Sequence, residues 1–212
     1  MLAGQTKVAR DGTEICLFPF EYMNISQGEN GSYSHLGTYN IDFLGWGANG
    51  RILQCPFYAP VTLRCIDAWD YSGTHNLTYQ SVNKVYLANG RKDYLTIDFA
   101  HDDNPIHEVG DTINQGAILG HTGTFSIYGQ LTGDHSHSCC GMGTFTGYTE
   151  RTAGCYDLTN RIHYYDACYI NDTVIINDEG YPWKTWDTPT PTPTTRKSNF
   201  PWVLYARKLR GE

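Results

Sequence analysis

Between Val109 and Gly123 the chain is cut by Gly-Asp, Gln-Gly and Leu-Gly steps into segments of a few residues each. That is the spacing of short strands joined by tight turns. Segments 76–80 and 84–87 are read as a hairpin, followed by Asn89-Gly90, a strong turn signal. Residues 61–65 alternate as a strand beyond Pro60, and 94–100 form a further strand with His101 at its end. Segments 28–40 and 45–50 are rich in Gly, Ser and Asn and read as loops, and the one plausible helix lies around 161–169.

The residue usage agrees with that pattern. Sixteen tyrosines and 22 glycines in 212 residues, with only 17% charged residues, favour a pleated, turn-rich chain over long helices. The expected fold is therefore mostly β: a single domain over residues 1–187, built on antiparallel sheets. Thr188 to Thr195 alternates Thr and Pro and is read as a semi-rigid extended spacer. Residues 196–212 then form a tail or the start of a further element.

A formal charge of −7 argues against a generic nucleic-acid binder, which needs a basic stripe to displace counterions. It also argues against simple electrostatic attraction to an anionic envelope, so wall targeting would need a specific groove. No apolar run is long enough to cross a bilayer, and residues 1–10 lack the apolar core of a secretory signal. The seven cysteines lack the regular spacing of a disulfide scaffold, and buried reduced thiols are expected.

Chemistry is concentrated in a few polar residues set among strands. His135 and His137 are two apart, so on a strand both point to one face and can converge on a small site. Asp42 sits between Ile41 and Phe43, where a carboxylate is costly unless paired or bound to metal. His35 lies seven positions upstream, across a loop able to bend it back. Two histidines and an aspartate suit Zn²⁺, and three protein ligands leave a position for water, as a catalytic site requires.

These residues resemble a family. The stretch from Tyr33-Ser34-His35 to Asn40-Ile41-Asp42-Phe43, followed by Tyr58-Ala59-Pro60-Val61, looks like the opening of the lysostaphin-type zinc endopeptidases. Phe99-Ala100-His101, the glycine series from Val109 to Gly123 and Gly133-Asp134-His135-Ser136-His137 match that family's later motifs in order. The resemblance implies a substrate groove over the central sheet, with His35, Asp42 and His137 as zinc ligands. It implies His101 and His135 as the catalytic pair that moves protons, and bacterial peptidoglycan as the partner. Zinc would polarise a bound water, lowering its pKa from about 15.7 towards about 7.

Two departures qualify the match. The spacing of seven from His35 to Asp42, against the usual four, is similar to the peptidase domains of phage endolysins and phage tail-tip lysins. A phage-encoded protein is thus expected, held in the host cytoplasm until release or carried in the virion tail. Ser138-Cys139-Cys140 replaces the usual apolar strand, which makes a structural zinc site from His135, His137, Cys139 and Cys140 a competitor. A non-catalytic wall-binding module of the same fold is the alternative function. Asp98, Asp102 and Asp103 are candidates to orient His101, while His75, His107, His121 and His163 are assigned to turns, packing or the groove edge.

Overall fold

A computed structural model describes residues 1–70, 73–126, 131, 133–152, 154–170 and 174–186, without the side chains of 69, 70, 73, 74 and 174. The expected Thr/Pro spacer and C-terminal tail lie outside these residues.

Two sheets carry the fold. A six-stranded antiparallel sheet runs in the order Thr112–Ile113, Leu63–Asp70, Gly73–Ser81, Leu95–Phe99, Cys140–Met142, Arg161–Ile162. A five-stranded sheet runs Ser136–Ser138, Ile41–Gly47, Tyr22–Gln27, Val174–Asn177, with Gly50–Arg51 paired to Ile41–Gly47. Its only parallel pair is Tyr22–Gln27 with Val174–Asn177. The expectation of a mostly β chain built on antiparallel sheets holds, and Tyr164–Ala167 is a single helical turn.

Aromatic burial explains why the sheets close on one another. Phe18, Phe20, Phe43 and Phe57 are fully or almost fully buried, and Phe43 meets Phe18, Phe20 and Tyr164 at centroid distances of 5.5, 4.9 and 5.1 Å. These are tilted and edge-on contacts, the geometries that aromatic quadrupoles favour. Leu95–Phe99 is buried at every position, as a central strand covered on both faces must be.

The alternation of Ile41–Gly47 decides where the chemistry goes. Ile41, Phe43, Gly45 and Gly47 are buried, whereas Asp42, Leu44 and Trp46 are half-buried on the other face. The strand runs further than the expected loop at 45–50, because Gly45 lets the backbone pass close to its neighbours. A Cβ there would lie 2.3 Å from Cys55 Cβ and 2.4 Å from the Ile52 carbonyl oxygen.

Two other expectations are corrected. Segments 76–80 and 84–87 do not pair with each other: Gly73–Ser81 pairs with Leu63–Asp70 and Leu95–Phe99. Val85–Tyr86 pairs instead with Lys92–Asp93 across the Asn89-Gly90 turn. Residues 161–162 are strand rather than helix, since their backbone groups complete the edge of the Cys140–Met142 strand.

One segment joins the two sheets. Ser136–Ser138 pairs with Ile41–Gly47, and two residues later Cys140–Met142 pairs with Leu95–Phe99. The Ala100 N–H donates to the His137 carbonyl at 2.9 Å, which continues the second ladder beneath the first. The end of the Leu95–Phe99 strand, where His101 stands, is thereby brought up to His135 and His137.

Candidate metal centre and cleft

Cross-strand register assembles the centre. Asp42 and His137 are direct partners in the antiparallel pair, so their side chains leave the sheet on the same face. His135, two residues from His137, shares that face, with its Nε2 3.9 Å from Asp42 Oδ1. Gly123 and His135 exchange backbone hydrogen bonds of 3.0 and 2.9 Å, which fixes the approach to this strand.

His35 arrives on a folded loop. Its N–H donates to the Gly31 carbonyl at 3.1 Å, its own carbonyl accepts from the Thr38 N–H at 2.8 Å, and Asn30 N–H donates to the Thr38 carbonyl at 2.9 Å. Asp157, fully buried, accepts from the Tyr39 N–H at 3.1 Å and pairs with Arg161, whose guanidinium lies 4.2 Å from the Tyr39 ring centroid. These contacts make a long His-to-Asp spacing compatible with a defined side-chain position. His35 ends fully buried.

Three donor atoms then meet. His35 Nε2 lies 3.1 Å from His137 Nδ1 and 3.3 Å from Asp42 Oδ1, and the last two atoms are 2.9 Å apart. A tetrahedral zinc with bonds of about 2.0–2.1 Å sets its ligands about 3.3 Å apart, so this triangle fits that ion with little adjustment. The imidazole tautomer also fits. His35 Nδ1 lies 3.2 Å from the Gly28 carbonyl oxygen, which can only accept, so Nδ1 carries the hydrogen and Nε2 is bare.

Among the described residues this is the one His/Cys/Asp/Glu group close enough to hold a metal. The competing site built from His135, His137, Cys139 and Cys140 is not formed. Cys139 Sγ accepts from the Leu158 N–H at 3.4 Å and Cys140 is buried in the hydrophobic core. All seven cysteines are free and buried, as expected.

The other two candidates face the same cleft. His101 Nδ1 lies 2.8 Å from the Phe125 carbonyl oxygen and His135 Nδ1 lies 2.8 Å from that of Gly133. Each ring therefore donates through Nδ1, and in its neutral tautomer Nε2 is the nitrogen free to accept a proton. Their centroids are 4.7 Å apart, and His101 stands 5.9 Å from the His137 ring. His101 has φ of +77°, a left-handed backbone for a residue with a side chain. Gly123 admits the turn, since a Cβ there would lie 2.1 Å from the His101 carbonyl oxygen.

Electrostatics separate the roles. Burial alone would raise the Asp42 pKa, but the adjacent His137 and His35 imidazoles outweigh it and hold the carboxyl well below the usual range. Burial works against a charged His137, and the Asp42 carboxylate more than offsets it, raising that imidazole. Burial, reinforced by the neighbouring His137 and His135 rings, pushes His101 down to about 3, so it is unprotonated at neutral pH. The cleft, of about 460 Å³, is bordered by Asp42, His101, His135 and His137 together with Tyr33 and Arg51.

The carboxylates near His101 do not orient its ring. Asp98 accepts from the Cys139 N–H at 2.6 Å, Asp102 from the His121 N–H at 2.9 Å, and Asp103 from the Thr124 N–H at 3.1 Å. Each closes a turn or a strand crossing, and the Phe125 carbonyl positions His101 instead. His163 is packed, stacked 4.1 Å from Tyr39 and 2.5 Å from Glu29. His75 lies in a strand and stacks on Phe125, while His121 borders a smaller cavity beside Asp102. His107 is 3.0 Å from the Ile118 carbonyl oxygen, in the turn region where it was expected. Arg51 and the carbonyls of Gly28, Phe125 and Gly133 escaped the sequence reading, because backbone groups and a lone arginine carry no motif.

No protein-family model matches the chain. It is 35% identical over 177 residues to Morphogenesis protein 1 of Bacillus phage B103, a match covering 83% of this chain and 46% of that protein. The chain thus spans about half the length of that curated relative. Among solved structures, lysostaphin aligns over 61% of this chain and 49% of its own at 17% identity, with a TM-score of 0.42. A zinc-containing peptidase from Vibrio cholerae aligns over 65% of this chain and 43% of its own at 18% identity, with a TM-score of 0.37. Among the described residues, no helix is long and apolar enough to cross a membrane.

Proposed function

We propose that this chain is a zinc-dependent endopeptidase that hydrolyses peptide bonds of bacterial peptidoglycan. The observation that carries the reading is a three-donor triangle of metal-binding size beside two imidazoles with bare Nε2 atoms, all at one cleft. His35, Asp42 and His137 would hold zinc. Bound there, the ion would supply Lewis-acid polarisation of the scissile carbonyl and a water acidic enough to lose its proton near neutral pH.

The chain's own residues do the rest. His101, kept unprotonated by burial, and His135 accept the proton of the attacking water and return it to the leaving amine. Their Nδ1–H bonds to Phe125 and Gly133 hold both rings in the tautomer that this transfer needs. The cleft walls position an extended peptide, so that its carbonyl meets prearranged groups rather than bulk water. A phage relative called a morphogenesis protein supports a phage-encoded chain, held in the host cytoplasm until release or part of the virion.

The test is metal content of the purified chain by mass spectrometry, with turbidity loss and peptide release from a panel of bacterial walls, with and without chelator. One zinc per chain and chelator-sensitive release of cut peptide is the expected result. Wall pull-down by the zinc-loaded chain without any cut peptide would replace the reading with a non-catalytic wall-binding module.

A further inference from the structure

Arg51 stands in the wall of the cleft that holds the metal-binding triangle and both catalytic candidates. It is carried by the short Gly50–Arg51 strand, paired to the strand that bears Asp42. Its Nη2 donates to the Asp134 carbonyl, one residue before His135, and lies 4.0 Å from where a Cβ of Gly133 would stand. The guanidinium is thus tied to the backbone that presents His135.

Among the described residues no carboxylate forms an ion pair with Arg51, although the chain carries 22 acidic residues and a net charge of −7. The nearby Asp134 carboxylate is turned to other donors, the Gln54 N–H at 3.0 Å and the Thr122 hydroxyl at 2.5 Å. A half-buried guanidinium has five N–H donors in a planar fork, and one carbonyl engages only part of that fork. The free donors match a carboxylate, which can accept two of them side by side.

We propose that Arg51 is a specificity-determining residue that binds a free carboxylate of the peptide substrate next to the bond being cut. The inference rests on the peptidase reading and names the substrate class within it. Stem-peptide cross-links, which carry free carboxylates on their glutamyl, diaminoacid or terminal residues, are the substrates. Uncharged oligoglycine bridges offer Arg51 no partner and leave its charge uncompensated when the cleft fills.

The test compares fluorescent cross-linked stem peptides with free carboxylates against the same peptides with every carboxylate amidated. Binding is read by anisotropy in chelator, and cleavage is read separately with zinc. Amidation is expected to weaken binding to the wild-type chain by about tenfold or more, the worth of one charge-assisted hydrogen bond. In Arg51→Gln the two peptides should bind within about twofold of each other, and Arg51→Lys should recover only part of the discrimination.

The acid-to-amide ratio is taken within each protein, so a general loss of folded protein in either variant cancels. Equal binding of both peptides by the wild type, or an undiminished ratio in Arg51→Gln, overturns the role of Arg51. Discrimination in binding without cleavage keeps that role and overturns the peptidase reading. Cleavage without discrimination does the reverse.

Discussion

His137 and Asp42 are direct cross-strand partners, and His137 Nδ1 lies 2.9 Å from Asp42 Oδ1. The pair is made by strand register, so a slip of either strand by one residue would put the two side chains on opposite faces. His35 completes the triangle from a loop. The proposed ligand set thus combines two rigid positions on a sheet with a third set by loop packing, and the two kinds respond differently to mutation.

Asp42→Ala removes a sheet-borne ligand and also leaves His137 without its charge partner. Zinc affinity should fall by more than the roughly 10–100-fold typical of lost outer-shell contacts. Competition against a chromophoric chelator measures this. Unchanged affinity and stoichiometry would move the metal elsewhere.

His101→Ala and His135→Ala should keep the zinc and lose catalysis, each by about 10²–10⁴-fold, the usual range for a positioned acid–base group. The diagnostic is the split between metal content and peptide release, measured on one sample. A variant that retains full activity is not a proton carrier.

Gly123→Ala changes no proposed ligand and no proton-carrying ring. Its new Cβ would meet the His101 carbonyl oxygen at 2.1 Å and the Asp103 nitrogen at 2.7 Å, backbone atoms that cannot rotate away. The strand must shift, and a loss of about 1–3 kcal/mol of stability with displaced His101 is expected. Urea unfolding gives the stability, and the His101 ring resonances report the displacement. Wild-type values in both would show that the turn relaxes freely.

Asp98 gives a pH test of the core. Burial pushes its carboxyl up to about 6, against the ordinary 3.8 of the unfolded chain. Between those values the folded chain holds a proton that the unfolded chain has released, so its contribution to stability falls as pH rises. Asp98→Asn keeps an acceptor for the Cys139 N–H and removes that slope. In chelator, the melting temperature of the variant relative to wild type should climb from pH about 4 to about 6 and then level off. A constant difference across the window would mean that Asp98 is ionised in the fold as readily as in water.

The turn-punctuated strands and the positions of His35, Asp42, His101, His135 and His137 were legible because they depend on neighbours in the chain. Alternation over Ile41–Gly47 puts Asp42 on the half-buried face, and the two-residue step from His135 to His137 puts both on one side. The hairpin expected from 76–80 and 84–87 failed for the converse reason. Local turn signals say where a strand ends, but pairing is decided by which apolar faces bury together.

What the amino-acid order determined by itself was the class of fold and the identity of the polar residues that a β chain cannot leave unpartnered. The tertiary structure decided which imidazole nitrogen each histidine presents, through carbonyls of Gly28, Phe125 and Gly133 that no motif marks. It also decided that Cys139 and Cys140 turn into the interior and that Arg51, with no ion pair among the described residues, is tied to the backbone beside His135. These are outcomes of long-range register and packing, where atoms far apart in the chain are set within a few ångströms by the burial of aromatic side chains.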